Sequence, residues 1–389
     1  ITCRDWSSDV CSSDLGTQVF KLQAPAGLAF VAFDGSGYLS PRFVGQVPNQ
    51  NLHALQPADY LIITPSRFRN EAERLAQAHT AHSGLSTLVA DVEEIYNEFS
   101  SGVKDPVAIR TFARMLYERA APGQEPRYLL LFGDGSYDPK NRIPNNHDIL
   151  PAFQSQESIT IVSSYVTDDF YGLMDPNEGA DGSGSIDIGI GRFPVVTDEQ
   201  AKNMVDKVEQ YLSGGSPMHQ AWRNRICLVA DDQDNNTHLD QAEKLALIID
   251  TSSSILNVNK IYLDAYKQYN TSAGARYPDV NKAIDNEINS GALFMNYTGH
   301  GGELGWAGES ILTIPEIYAW QNDGILPIFV TATCEFSRFD DPERISAGEH
   351  VILRNAGGGI ALFTTTRIAY SHTKDRKSTR LNSSHGKLS

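Results

Sequence analysis

The sequence predicts an α/β fold of two successive open sheets, on three observations. From Asp59 onward, short apolar runs of strand length alternate with helix-like segments, the order that builds sheets covered by helices. The run SGGSP at 213–217 breaks that alternation once, and the same pattern then restarts. Residues 292–302 (ALFMNYTGHGG) and 327–334 (PIFVTATC) are apolar runs joined by a helix-like segment, which implies a parallel pair.

Ahead of this region, residues 16–56 carry short alternating apolar runs at 19–22 and 28–33, broken by Gly, Pro and Ser, and read as the end of a β-rich domain. The first α/β subdomain is expected over 57–215. Its strands are predicted at 60–64, 85–90, 128–132 and 186–193, and its helices at 71–82, 107–119 and 197–212. Asp105 with Pro106 supplies an N-cap and a first-turn proline for the second helix. Thr197 with Gln200 makes a capping box for the third.

The second subdomain is expected over 216–374. Strands are predicted at 225–230, 260–263, within 292–302, within 327–334 and at 359–364, and helices at 238–249, 280–289, 313–322 and 347–355. Thr313, Pro315 and Glu316 form another capping box with an early proline.

The two ends stand apart from this pattern. Residues 5–15 (DWSSDVCSSDL) and 375–385 (DRKSTRLNSSH) back-translate onto one DNA stretch read on opposite strands, and that stretch resembles a sequencing-library adapter. Residues 1–15 and 375–389 are therefore expected to be adapter read-through, with the natural chain continuing differently at both ends. The formal net charge is −16, and no Lys/Arg cluster lies outside the C-terminal tail, which argues against nucleic acid as a partner. No apolar run reaches the roughly 18 residues of a membrane span.

Cys3 and Cys11 fall in the excluded end, which leaves Cys227 and Cys334. Cys227 sits inside the strand-like run RICLVAD and is expected to be a buried small hydrophobe. Cys334 ends its strand and is followed by polar, turn-prone residues. His300 ends the neighbouring strand in a turn flanked by Gly299 and Gly301. If the two strands are adjacent, thiol and imidazole meet at the carboxyl edge of one sheet, where open α/β sheets bind ligands. A thiol beside an imidazole ionises more easily, and the thiolate is the nucleophile. The Gly301 and Cys334 N–H groups could then form an oxyanion hole.

The strand at 225–230 also ends in acids, Asp231 and Asp232, either of which could orient the imidazole; Asp232 is the favoured one. His238, in the polar stretch beyond, could line a substrate pocket or simply face solvent. Trp306 could wall the site or pack beneath the His300 loop. Asp134, Asp168 and Asp169 occupy loop positions of the first sheet and could hold a structural calcium, although no EF-hand spacing is present. The chemistry itself requires no cofactor, and no metal ligand set is expected at the catalytic residues.

These residues resemble the gingipain family of cysteine peptidases and, within it, the type IX secretion sortases. The run NYTGHG at 296–301 and the strand-terminal Cys334 are similar to that family's catalytic pair. The sortase branch is resembled by NQNLHAL at 49–55, IYNEFSS at 95–101, AIR at 108–110, GRFP at 191–194 and ADD at 230–232. The resemblance implies a caspase-like fold with Cys334 as nucleophile, His300 as base and Asp232 as the acidic member. His238 stands where the family's arginine-specific members carry an acid, which argues against arginine preference.

It further implies removal of a C-terminal secretion signal from exported cargo and transfer of the acyl group to a lipopolysaccharide amine. The setting would be the bacterial cell surface, beside other outer-membrane secretion components. A gingipain-like endopeptidase without transpeptidation, and a pseudo-peptidase that binds signal domains without cutting them, remain as alternatives.

Overall fold

The computed structural model describes residues 40–43, 45–161, 163–214 and 221–369. The chain divides into two compact units, Ile1–Gln50 and Asn51–Ser389. In the first, the described residues form no helix or strand, and the β-rich runs expected at 19–22 and 28–33 lie outside the described residues. The second unit carries both sheets.

The first sheet uses β1 (Tyr60–Thr64), β2 (Thr87–Asp91), β3 (Tyr128–Phe132) and β6 (Gly189–Phe193), in the order β2-β1-β3-β6. All its pairings are parallel. Its helices are α1 (Arg69–Ser83), α2 (Val92–Phe99), α3 (Pro106–Arg119) and α4 (Asp198–Ser213). Asp105 caps α3 through the Val107 N–H, with Pro106 at the first turn, and Thr197 and Gln200 form the reciprocal box that opens α4. Each such cap satisfies N–H groups that the helix cannot, a contribution of about 1 kcal/mol. Helix α2 was not expected from the sequence pattern. Asp91 ends β2 and caps α2 in the same residue, so no turn signal separates the two. A two-stranded pair, β4 (Phe153–Gln154) and β5 (Val166–Thr167), lies in the long excursion before β6.

The second sheet is built from β7 (Arg225–Ala230), β8 (Asn257–Tyr262), β11 (Phe294–Thr298), β15 (Ile328–Ala332) and β16 (Ala361–Phe363), in the order β16-β15-β11-β7-β8. Every neighbour pair is again parallel. Helices α5 (Thr237–Ser252), α6 (Pro278–Ser290), α7 (Ile314–Ala319) and α8 (Ala347–Leu353) connect them. The capping box at Thr313 and Glu316 opens α7, which is shorter than the expected 313–322 because Trp320 leaves helical geometry and is buried.

Small pieces complete the unit. A hairpin joins β9 (Tyr269–Thr271) to β10 (Gly274–Arg276), and β12 (Gly301–Gly302), β13 (Gly305–Trp306) and β14 (Leu312–Thr313) form a meander after β11. One apolar core runs through both sheets: Ile62, Leu130 and Phe132 from the first join Cys227, Val229, Met295 and Phe329 from the second. Burial of this kind, at about 25 cal/mol per Å² of apolar surface, holds the two sheets as one body.

Candidate active site

Three adjacent strands set the site. Thr298 of β11 is in register with Ala332 of β15 on one side and Ala230 of β7 on the other. His300, Cys334 and Asp232 each follow two residues later, so all three leave the sheet at one level of its carboxyl edge. Adjacent strands lie about 4.8 Å apart.

The His300 turn is fixed from below. Asp231 accepts the His300 backbone N–H at 2.8 Å, and the Tyr297 hydroxyl donates to the His300 carbonyl at 2.5 Å. A Cβ on Gly299 would collide with the Asp231 Cβ, and one on Gly301 would lie 2.5 Å from Thr333 Oγ1. Both glycines are therefore required by close approach. The second brings the His300 loop against the residue that precedes Cys334. Glu303 clamps the same loops together: Arg338 Nη1 and Arg344 Nη1 donate to its two oxygens at 2.6 and 2.9 Å.

The imidazole of His300 is half exposed and its Nε2 lies 3.1 Å from Asp234 Oδ2. This corrects the expectation that Asp232 orients the ring. Asp232 instead accepts from the Tyr277 hydroxyl at 2.5 Å. The cause is the loop after β7, where Asp234, Asn235 and Asn236 all have positive φ (62°, 53° and 66°) and turn the Asp234 carboxylate back to the histidine. Asp and Asn tolerate this left-handed conformation better than other residues.

Asp231 is fully buried, and burial pushes its carboxyl up to about 6, opposed by the His300 N–H and assisted by a shared hydrogen bond with Asp232 and the Glu309 charge. Asp231, Asp232 and Glu309 bring one carboxylate oxygen each within 4.8 Å of the others, and one oxygen of each is buried without a partner. A shared proton relieves such a cluster.

Cys334 is partly buried, its Sγ 3.4 Å from both the carbonyl oxygen and the amide nitrogen of Ala369. Among the described residues, thiol and imidazole share a rim without a hydrogen bond between them. Cys227 is fully buried in the core, where desolvation holds its thiol well above the usual range.

His238 is the second residue of α5 and 4% exposed. Its ring stands perpendicular to that of His300, with centroids 5.3 Å apart. Burial first, and then the neighbouring His300, lowers its pKa, so it is held neutral.

Trp306, expected as a candidate wall for substrate, is fully buried. It stacks on Tyr297 with centroids 4.5 Å apart and packs against Phe336. It supports the His300 loop from within the core and presents no face to a ligand, because the β12–β14 meander folds it under.

The acids expected as calcium ligands part ways. Both oxygens of Asp168 accept from Arg192 at 2.8 Å, whereas Asp134 is buried with one oxygen unpartnered. Asp234, Tyr277, Glu303 and Glu309 were not singled out by sequence reasoning. For Asp234 a signal existed in the run Asp234-Asn235-Asn236, a composition suited to consecutive left-handed residues.

Residues 53–386 match peptidase family C25. No curated relative matches the chain. Among solved structures, the Arg-specific cysteine proteinase gingipain R (RgpB) superimposes with a TM-score of 0.60 at 19% identity, covering 83% of this chain and 66% of that one. The complex of Porphyromonas gingivalis RgpB pro- and mature domains gives 0.60 at 20% identity, covering 80% and 64%. Dimeric latent PorU from P. gingivalis is 36% identical over 45% of this chain and 18% of that chain, with a TM-score of 0.39. The chain thus spans just under two thirds of the RgpB chains. With a match over most of its length and a gingipain-like arrangement of sheets, the chain belongs to peptidase family C25, the gingipain family of cysteine peptidases.

Proposed function

We propose that this chain is a cysteine peptidase of the secretion-sortase kind, with Cys334 as nucleophile and His300 as base. The observation that carries this is the register of β7, β11 and β15, which sends an acid-bearing loop, an imidazole and a thiol to one edge. His300 takes the thiol proton, and the thiolate attacks the scissile carbonyl. The oxyanion is received by the Gly301 and Cys334 N–H groups, and His300 returns the proton to the departing amine. Substrate must displace the Ala369 backbone from Cys334 Sγ. Asp234 holds the imidazole and balances its charge when protonated.

The acyl-enzyme is then intercepted by an amine. The motif resemblance favours exported cargo with a C-terminal signal domain as the donor and a lipopolysaccharide amine as the acceptor, at the bacterial cell surface with other outer-membrane secretion components. Among the described residues no helix is long and apolar enough to cross a membrane. His238, in place of an acid beside the site, favours a substrate side chain other than arginine. Any structural calcium belongs to the loops around the first sheet, outside this chemistry.

The test is incubation of the protein, with and without Cys334→Ala, with cargo bearing its C-terminal domain, followed by mass spectrometry. Cleavage by the wild type alone, with an amine adduct on the new C-terminus, supports the proposal. A hydrolysed terminus without adduct reduces it to a plain endopeptidase, and cleavage by both proteins removes Cys334 from the reaction.

A further inference from the structure

The catalytic imidazole shares its orienting carboxylate with a second ring that the peptidase reaction does not need. His300 Nε2 and His238 Nε2 both face one oxygen, Asp234 Oδ2, at 3.1 and 3.4 Å. Zinc bonds to nitrogen and oxygen are about 2.0–2.1 Å, and donors at the corners of such a tetrahedron are on the order of 3.3 Å apart, so both separations match its edges. His238 is 4% exposed, and its ring is held only by the long contact to Asp234 and a side-chain interaction with Gln241. A buried imidazole so weakly held marks a place for something with empty orbitals or a proton to give. Asp231 adds a carboxylate oxygen within 4.8 Å of a nitrogen from each ring. On the other side His300 and Asp234 are half exposed, which gives a cation access and leaves room for water as a further ligand.

We propose that His300, His238 and Asp234 form a reversible binding site for a zinc-type divalent cation, and that the bound ion silences the peptidase by taking His300 Nε2 and fixing the ring's proton on Nδ1, the nitrogen that must act as base. Two imidazoles with one carboxylate select a borderline ion such as zinc over calcium or magnesium, which prefer all-oxygen shells. The binding half of the proposal depends on geometry alone. The silencing half rests on His300 being the base.

The experiment titrates zinc into the protein against a chromophoric chelator, in the wild type and in Cys334→Ala, His238→Phe and Asp234→Asn. One zinc binds the wild type, Cys334→Ala keeps the affinity within about twofold, and the other two variants each lose about tenfold or more. Cobalt(II) replaces zinc as a probe in the wild type, where four-coordinate visible bands without thiolate charge transfer are expected, so the result does not hang on a variant that folds poorly. In the peptidase assay, zinc inhibits the wild type and a chelator restores it. Absence of saturable binding, unaltered affinity in His238→Phe, or a thiolate band with cobalt each overturns the site. Zinc bound at full occupancy without inhibition keeps the site and overturns the silencing. A wild type inactive on every cargo tested, yet binding zinc as described, counts against the peptidase proposal and supports the site.

Discussion

Around the ends of β3 and β6 in the first sheet, a central set of polar groups is closed on itself. Asp168 and Arg192 form a buried two-bond pair, and the same guanidinium also donates to the carbonyls of Gly133, Leu150 and Pro151. Asp91 spends its carboxylate on the Glu93 N–H and the Ser66 hydroxyl. At the same edge of the second sheet, Asp231, Asp232, Glu309 and Thr333 all keep buried polar atoms without partners. Both edges come from parallel strands ending in polar residues, yet the first centres on a closed ion pair and the second on carboxylates left open. Unpaired buried polar atoms cost stability, and a fold carries them where chemistry needs them. Open polar atoms also remain around the first sheet, on Tyr96, Asn146, Asp148 and Asp134; the buried Asp134 carboxyl, with one free oxygen, is held well above the usual range by burial and then by Glu349, while Arg192 pulls the other way.

The sharpest contrast is in turnover. Cys334→Ala is expected to reduce cargo processing by about a thousandfold or more. Cys227→Ala, in the core, costs on the order of 1 kcal/mol of stability with turnover per folded molecule retained. Parallel rate assays and denaturant melts check this, and a reversal of the two effects would transfer the chemistry to Cys227.

The closed edge responds in stability. Arg192→Met strands the buried Asp168 carboxylate and is expected to cost on the order of 3–5 kcal/mol, with turnover of the remaining folded protein unchanged. A melting midpoint equal to that of the wild type would show that the pair is not holding the first sheet.

A third effect depends on pH. Glu349, buried in α8, accepts from the Ser346 N–H and hydroxyl through one oxygen, and burial raises its pKa to about 7 against an ordinary 4.5. The folded state therefore favours the protonated form. Its contribution is fully present below about pH 4.5 and is lost as pH rises through about 7. Glu349→Gln keeps the acceptor and removes the charge, so it is expected to stabilise by on the order of 2 kcal/mol at pH 8 and by little at pH 4. Equal effects in urea melts at the two pH values would contradict this.

The smallest effect separates the acids at the open edge. Asp234→Asn is expected to lower kcat about tenfold, more than it changes KM, and Asp232→Asn to lower it less. The opposite order in steady-state kinetics would return the orienting role to Asp232.

Alternation of apolar runs with capped helices made the order of strands and helices readable in advance, and the abrupt polar ends of β11 and β15 marked His300 and Cys334. Such signals are local. The partner of His300 was not readable, because it depends on three left-handed residues at 234–236, and a loop path is set by tertiary contacts. Trp306 was ambiguous for the same reason: a meander of two-residue strands decides whether it faces substrate or core. The GRFP and AIR motifs enter through resemblance, and their arginines prove to be fasteners, Arg192 buried and Arg110 half-buried. Arg110 donates to the carbonyls of Leu173 and Glu178, much as Arg192 holds the loops near β3. Likewise NQNLHAL and IYNEFSS meet each other, with Glu98 accepting the Leu52 N–H at 2.7 Å.

The most direct test of the shared edge is the alkylation rate of Cys334 by a thiol-reactive probe as a function of pH, in the wild type and in His300→Ala, with each labelled cysteine identified by peptide mapping. A paired thiol and imidazole predict rapid wild-type labelling at Cys334 and a slower rate in His300→Ala, with Cys227 unlabelled in both. Superimposable profiles for the two proteins would contradict the pairing.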